Sequence, residues 1–281
     1  QQHLTWHSFP TRRSSDLIAL YLDGTTLNAE SKLNSATIQT MQLLQAAGHI
    51  VSIITGRSYQ GSQAIYDQLR LKSPMINFNG SLGHLPHQTW ASEYQFTINK
   101  AIVLALVKYR EQLGINEIIA ENKNSTMTAG QDLIAGQFFP EIADSPRLTP
   151  DTLTRNPNSL VLLVQLDRRA AIIDWITERF GDQVDVGVWG GPNAILEITS
   201  KGVHKAKGVA YLADYFQISR RNIIAFGDEH NDLEMLAYAG LGVAMANGTD
   251  KIKATADDVT AYNNDQNGVA RYLNDYFAIA E

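Results

Sequence analysis

At 281 residues, 44 % apolar and 19 % charged, the chain is long enough for a core plus an inserted unit and has the composition of a globular protein. The absence of cysteine excludes disulfides and thiolate metal sites and points to a reducing cytosol. A net charge of -6 without a basic stripe argues against nucleic acid, and no apolar run approaches the ~18 residues of a membrane span. An anionic substrate stays open, because a metal and a few cations can reverse the local field.

Taken in chain order, Gln1 to Asp16 fit nothing that follows and are expected to be an extraneous or disordered tail. They lack the apolar core of about 7–15 residues that a secretory signal needs. The stretch His7-Ser8-Phe9-Pro10-Thr11-Arg12-Arg13-Ser14-Ser15-Asp16-Leu17 looks like a translated sequencing-adapter remnant; a natural tail is the alternative.

Leu17–Leu22 reads as a strand, Ser35–Ala47 as a helix stopped by Gly48, and Ile50–Thr55 as a strand. Ser58–Leu69 reads as a helix and Met75–Phe78 as a strand before Asn79-Gly80. Strands alternating with helices predict a parallel sheet with helices on both faces. From Gly83 to Gly190 the character changes. Lys100–Leu113 and Arg169–Phe180 read as helices, and Ile115–Glu121, Leu160–Leu166 and Val184–Trp189 as strands of a sheet with one wet face. Ser145–Pro157 holds three of the eight prolines and reads as a loop. From Ile195 the parallel rhythm resumes, with Lys205–Phe216, Leu233–Ala239 and Val269–Phe277 helical and Asn222–Phe226 and Gly242–Met245 extended. The predicted architecture is α/β: a Rossmann-like parallel-sheet core over 17–82 and 191–281, with an inserted α+β cap over 83–190.

Four segments at predicted strand ends carry residues suited to chemistry. In Ile18-Ala19-Leu20-Tyr21-Leu22-Asp23-Gly24-Thr25-Thr26, Tyr21 and Asp23 project the same way from an extended strand into a turn that Gly24 permits, with Thr25 available for loop backbone groups. In Ile53-Ile54-Thr55-Gly56-Arg57, a hydroxyl, a glycine and a cation can serve a phosphate, although Thr55 or Ser58 could equally be a helix cap. In Val203-His204-Lys205-Ala206-Lys207-Gly208, Lys205 at a helix start could hold a phosphate; Lys201 and Lys207 are its rivals. Gly227-Asp228-Glu229-His230-Asn231-Asp232 offers the hard oxygen donors Mg²⁺ prefers, with His230 a solvent-facing spacer.

In this order the four segments resemble the haloacid-dehalogenase (HAD) superfamily of phosphatases. The placement of the insertion after Asn79-Gly80, together with Gly227-Asp228-x-x-Asn231-Asp232, is similar to its Cof-like branch with an α+β (type IIB) cap. The resemblance implies a cytoplasmic, Mg²⁺-dependent hydrolase of small phosphate esters such as sugar phosphates or pyridoxal phosphate, working through an aspartyl-phosphate. It implies that Asp23 is general acid and base, that Asp23, Asp228 and Asp232 hold the metal, and that Leu22, Thr55, Gly56, Lys205 and Asn231 hold the phosphoryl group. Its cap would close over the site, with Tyr94, Glu121, Trp189 and Asn193 as candidates for choosing the substrate.

One residue departs from that pattern. The family begins its first motif with Asp-x-Asp-Gly-Thr, and here Tyr21 stands at the first, nucleophilic aspartate. A phenol with a pKa near 10 is neutral at pH 7 and a poor Mg²⁺ ligand. Asp23 as a nucleophile in a shifted register conflicts with Gly24-Thr25, which follow it as the family's Gly-Thr follows its second aspartate. Two readings result. One is a phosphatase lineage in which tyrosine at 21, a single base change from aspartate, reflects a sequence error or a recent lesion; the alternative is a non-catalytic phosphate-ligand-binding pseudoenzyme of the same fold.

Overall fold

The computed structural model describes residues 16–130, 142, 144–189 and 194–279, so the expected tail up to residue 15, and Asn193, lie outside the described residues. The chain opens with β1 (Leu17–Leu20), α1 (Ser35–Ala46), β2 (Ile50–Ile53), α2 (Gln63–Gln68) and β3 (Met75–Asn77). Next come β4 (Leu82–His84), β5 (Tyr94–Gln95), α3 (Lys100–Leu113), β6 (Ile115–Asn122) and β7 (Ser125–Gly130). They are followed by β8 (Ser159–Val164), α4 (Arg169–Phe180), β9 (Val184–Val188) and β10 (Ile195–Ser200). The last part holds α5 (Lys205–Phe216), β11 (Ile223–Gly227), α6 (Leu233–Tyr238), β12 (Leu241–Ala244), α7 (Asp250–Thr255), β13 (Asp258–Val259) and α8 (Gly268–Phe277).

The first sheet has the order β13-β12-β11-β1-β2 and is parallel throughout. Its interior strand β1, between β11 and β2, is apolar at every position because both faces are covered. Ile18 and Leu20 pack with Met41 and Leu44 of α1 and with Val269 and Leu273 of α8. Leu17 and Ala19 point the other way, into Val209 and Leu212 of α5 and Met235 and Leu236 of α6. Each large side chain so buried contributes about 1.5–3 kcal/mol.

The second sheet, β7-β6-β8-β10-β9, is antiparallel. One face is covered by α3 and α4, where Ile102, Val103, Leu106, Ile172 and Ile176 meet Ile118, Leu160, Leu162, Leu196 and Ile198. α3 forms as expected because Asn99 caps it, its side chain accepting from the Ala101 amide, and Gly114 ends it at φ 76°.

Strand pairing runs across the expected insertion boundaries at both ends. β4, which straddles the boundary expected at residue 82, pairs with β3, and β5 pairs with β4; Trp90 between them packs with Leu17 and Ile54 of the core. β10 falls within the segment, from Ile195 on, expected to resume the parallel rhythm. It pairs antiparallel with β8 and β9 instead, so the second sheet runs to Ser200. A short apolar run does not disclose its partner. The helix expected from Ser58 starts at Gln63, since the Gly61 amide bonds the Ser58 hydroxyl in a preceding turn. Among the described residues no helix is long and apolar enough to cross a membrane.

Candidate active site

Parallel register sets Leu20 beside Ile53 and Phe226, so β1, β2 and β11 end at one edge. The turns that follow them bring Tyr21–Thr26, Thr55–Arg57 and Asp228–Asp232 together, at the edge where such sheets bind ligands.

The first turn is closed by its own threonines. The Thr26 hydroxyl donates to the Tyr21 carbonyl, and the Thr25 hydroxyl donates to Asp228 Oδ1 at 2.6 Å. Thr25 therefore serves a carboxylate, and its neighbour takes the backbone role expected of it. Gly24 sits at φ 68°, and a Cβ there would fall 2.2 Å from Asp228 Oδ2. Gly24→Ala is accordingly expected to cost about 2 kcal/mol or more by strain and overlap. Urea unfolding would show it, and an unchanged midpoint would mean that Asp228 simply moves aside.

Asp23 is gripped by Arg57, whose Nε donates to Oδ2 at 2.9 Å while Nη2 donates to Oδ1. The cation in the second segment thus orients the candidate acid–base rather than standing free for phosphate. Thr55 is fully buried, its hydroxyl accepting from the Arg57 amide at 3.1 Å. Gly56 lies against Asn79, whose Oδ1 would be 3.1 Å from an added Cβ.

Of the three lysines considered, only Lys205 reaches this edge. Lys201 pairs with Asp185 at 2.6 Å, and Lys207 lies 5.5 Å from the Phe96 ring centroid. Lys205 and Asp232 are both 0 % exposed and form an ion pair at 2.5 Å. Asp232 Oδ2 accepts from the amides of Asp228 and Glu229 at 3.1 and 3.2 Å. Both of its oxygens are therefore engaged by protein donors. Among the described residues, no group of three His, Cys, Asp or Glu side chains is placed to share a metal ion.

Tyr21 occupies the middle of this arrangement. Lys205 Nζ stands 3.4 Å from its ring centroid, a cation–π contact in a desolvated place. Burial, and then the charges of Asp232, Asp23 and Asp228, push the phenol well above its ordinary value of 10, so it is neutral at any physiological pH. The ring covers the cation that an anion would seek.

Burial also raises the Asp228 carboxyl to about 7, with Asp232 adding to the shift and the Thr25 hydroxyl opposing it. From about pH 4 to 7 the folded chain then holds a proton that the unfolded chain has released, so this contribution to stability declines as pH rises through that window and is level above it. Asp228→Asn cannot titrate. Its stability relative to the parent is expected to improve steadily between those pH values; a constant difference in urea midpoints would contradict the shift.

Beside this edge a cleft of about 290 Å³ runs between the two sheets. Lys205, His230, Asn231 and Asn79 line one side; Trp189, Glu197, Thr199 and Asp185 line the other. Of the cap candidates, Trp189 faces the cleft. Tyr94 does not, because it packs against Tyr211 at 4.5 Å in the core-side sheet; Glu121 is buried within β6 and away from it. Glu197 and Asn79 were not singled out from the sequence. Glu197 Oε1 accepts from Asn79 Nδ2 at 2.7 Å, and its Oε2 accepts from Trp189 Nε1 at 3.2 Å. Burial raises the Glu197 carboxyl above its ordinary range, with the two N–H donors and Lys205 pulling the other way. The one available signal was Asn79 before Gly80, since asparagine tolerates the left-handed φ of 52° it adopts.

A parallel sheet with acidic turns at its carboxyl edge and an inserted antiparallel sheet define a capped α/β architecture. The chain matches the haloacid dehalogenase-like hydrolases over residues 18–273 and belongs to that family. It is 35 % identical over 267 residues to the 5-amino-6-(5-phospho-D-ribitylamino)uracil phosphatase YitU of Bacillus subtilis, covering 94 % of this chain and 98 % of that one. In fold it is similar to a haloacid dehalogenase-like hydrolase from Bacteroides thetaiotaomicron, with TM-score 0.82 and 24 % identity over 94 % of this chain and 100 % of that one. A sugar phosphatase of HAD subclass IIB, BT4131, superposes with TM-score 0.79 and 22 % identity over 95 % of this chain and 100 % of the other. By lineage the chain is a phosphatase.

Proposed function

We propose that this site is built for Mg²⁺-dependent hydrolysis of a small phosphate monoester, and that Tyr21 suspends the covalent step in this chain. The observation that carries the reading is the buried Lys205–Asp232 pair set against Asp228 and Asp23 at the ends of adjacent parallel strands. The donors suit Mg²⁺, which needs only one or two carboxylates and keeps several waters. Asp228 is a buried carboxyl whose charged form the Thr25 hydroxyl and Lys205 offset only in part, and the turn that carries Asp23 faces it across Gly24. Mg²⁺ would be held by Asp228 and the main-chain carbonyl of Asp23, with Asp232 bracing the loop, and would supply neutralisation of phosphoryl charge.

With aspartate at 21, that carboxylate would attack phosphorus. Asp23, oriented by Arg57, would give a proton to the leaving oxygen and later take one from water. Lys205, Asn231, Thr55 and the amides of Leu22 and Gly56 would hold the phosphoryl oxygens. The likeness to YitU favours a phosphorylated polyol attached to a flat heterocycle as the substrate, which the Trp189 wall of the cleft can accommodate. Cytoplasmic placement follows the cysteine-free composition.

A second reading, binding of a phosphate ligand without turnover, is favoured by the Tyr21 ring beneath Lys205. Hydrolysis of a panel of phosphate monoesters by Tyr21→Asp, with and without Mg²⁺, separates the two. Metal-dependent turnover supports the phosphatase; none across the panel supports the binder.

A further inference from the structure

Glu197 lies on β10 at the seam between the two sheets and is 8 % exposed. One oxygen accepts from the Trp189 indole, which walls the cleft; the other accepts from Asn79, which belongs to the core. Asn79 passes the contact on, its Oδ1 facing Asn231 Nδ2 at 3.5 Å. The Asn231 Oδ1 is buried without a hydrogen-bond partner. One carboxylate thus touches the leaving-group wall and, through a single amide, the asparagine assigned to the phosphoryl group.

The direction of this chain of bonds is determined by chemistry. An indole N–H only donates, and both Glu197 oxygens accept, the two N–H donors and Lys205 favouring the ionised form against burial, whereas an amide can turn either way. With Glu197 accepting, Asn79 must present its NH₂ there and its oxygen to Asn231. Asn231 must then present its NH₂ to Asn79.

We propose that Glu197 is a positioning residue whose acceptor-only carboxylate sets the amide orientation of Asn79 and, through it, of Asn231, so that the seating of the inserted sheet and the phosphate end of the cleft are fixed together. Glu197→Gln tests this with almost no change of volume. Its oxygen must stay on Trp189, so its NH₂ meets Asn79, which turns over and forces Asn231 to turn as well. Adding Asn79→Asp reverses the effect. An aspartate at 79 accepts from both neighbours, which returns Asn231 to its original orientation without changing net charge.

Two readouts follow, and only the second rests on the phosphatase reading. In the chain as written, nitrogen-resolved NMR of the Asn231 side-chain amide is expected to move in Glu197→Gln and to return in the double variant, whatever the turnover. In a Tyr21→Asp background, KM for an aryl phosphate is expected to rise about tenfold in Glu197→Gln, as for one misdirected buried hydrogen bond, and to fall back in the double variant while kcat stays within about twofold. If Tyr21→Asp is inert, the function falls and the NMR arm still decides the inference. An Asn231 amide that ignores Glu197→Gln, or a double variant no closer to the parent than the single or unable to fold, would overturn it.

Discussion

Tyr21→Asp is expected to raise Mg²⁺-dependent hydrolysis of a small aryl phosphate by about 10³-fold or more over the chain as written. Two causes act together. The present phenol, held well above its ordinary pKa of 10 by burial and then by Asp232, Asp23 and Asp228, offers no anion to attack phosphorus. Its ring also lies under Lys205, which is 3.4 Å from the ring centroid, and covers the charge that would draw a phosphoryl oxygen. Aspartate removes both obstacles. It also sets a further carboxylate beside Asp23, Asp228 and Asp232, whose mutual repulsion is costly without a cation. The variant should therefore gain more thermal stability from added Mg²⁺ than the parent does. Turnover by the parent at a comparable rate would mean that the nucleophile is not at position 21. Turnover by Tyr21→Asp that survives chelation would remove the metal from the reading and leave the lineage intact.

What the sequence could disclose follows from how local each feature is. α3, α4 and α5 begin and end where periodicity and their flanking residues put them, because apolar spacing and the glycine at 114 act within a turn or two. The strand-end motifs were legible for the same reason: an apolar run followed by a polar turn locates an edge of the sheet. Pairing is a long-range choice that a local pattern does not disclose. Ile195–Ser200 carries nothing that favours β8 and β9 over a parallel neighbour. The acidic motif was similarly half legible. Asp228 and Asp232 announce oxygen donors, but nothing local announces that Lys205, 27 positions upstream, is buried against Asp232. Arg57 and Thr25 were noticed as donors, yet the groups they serve, Asp23 and Asp228, lie on other turns. Glu197 had no signal at all, since its two partners, Asn79 after β3 and Trp189 after β9, come from other segments of the chain.

Lys205→Met is expected to cost about 3–5 kcal/mol of stability, because it leaves the Asp232 carboxylate in a dry place without its counter-charge. Both side chains are 0 % exposed, so water cannot replace the lost donor. The amides of Asp228 and Glu229 would remain on Oδ2, but they carry only partial charge. Adding Asp232→Asn should recover part of the loss. It removes the stranded charge and keeps one oxygen for those amides, while its NH₂ inherits the position facing the methionine. Recovery should be incomplete, since that NH₂ then lacks an acceptor. Urea unfolding of the two variants gives both numbers directly. If Lys205→Met cost less than about 1 kcal/mol, the pair would be behaving as a solvated surface bridge, and the braced loop that holds Asp228 in place would need another support.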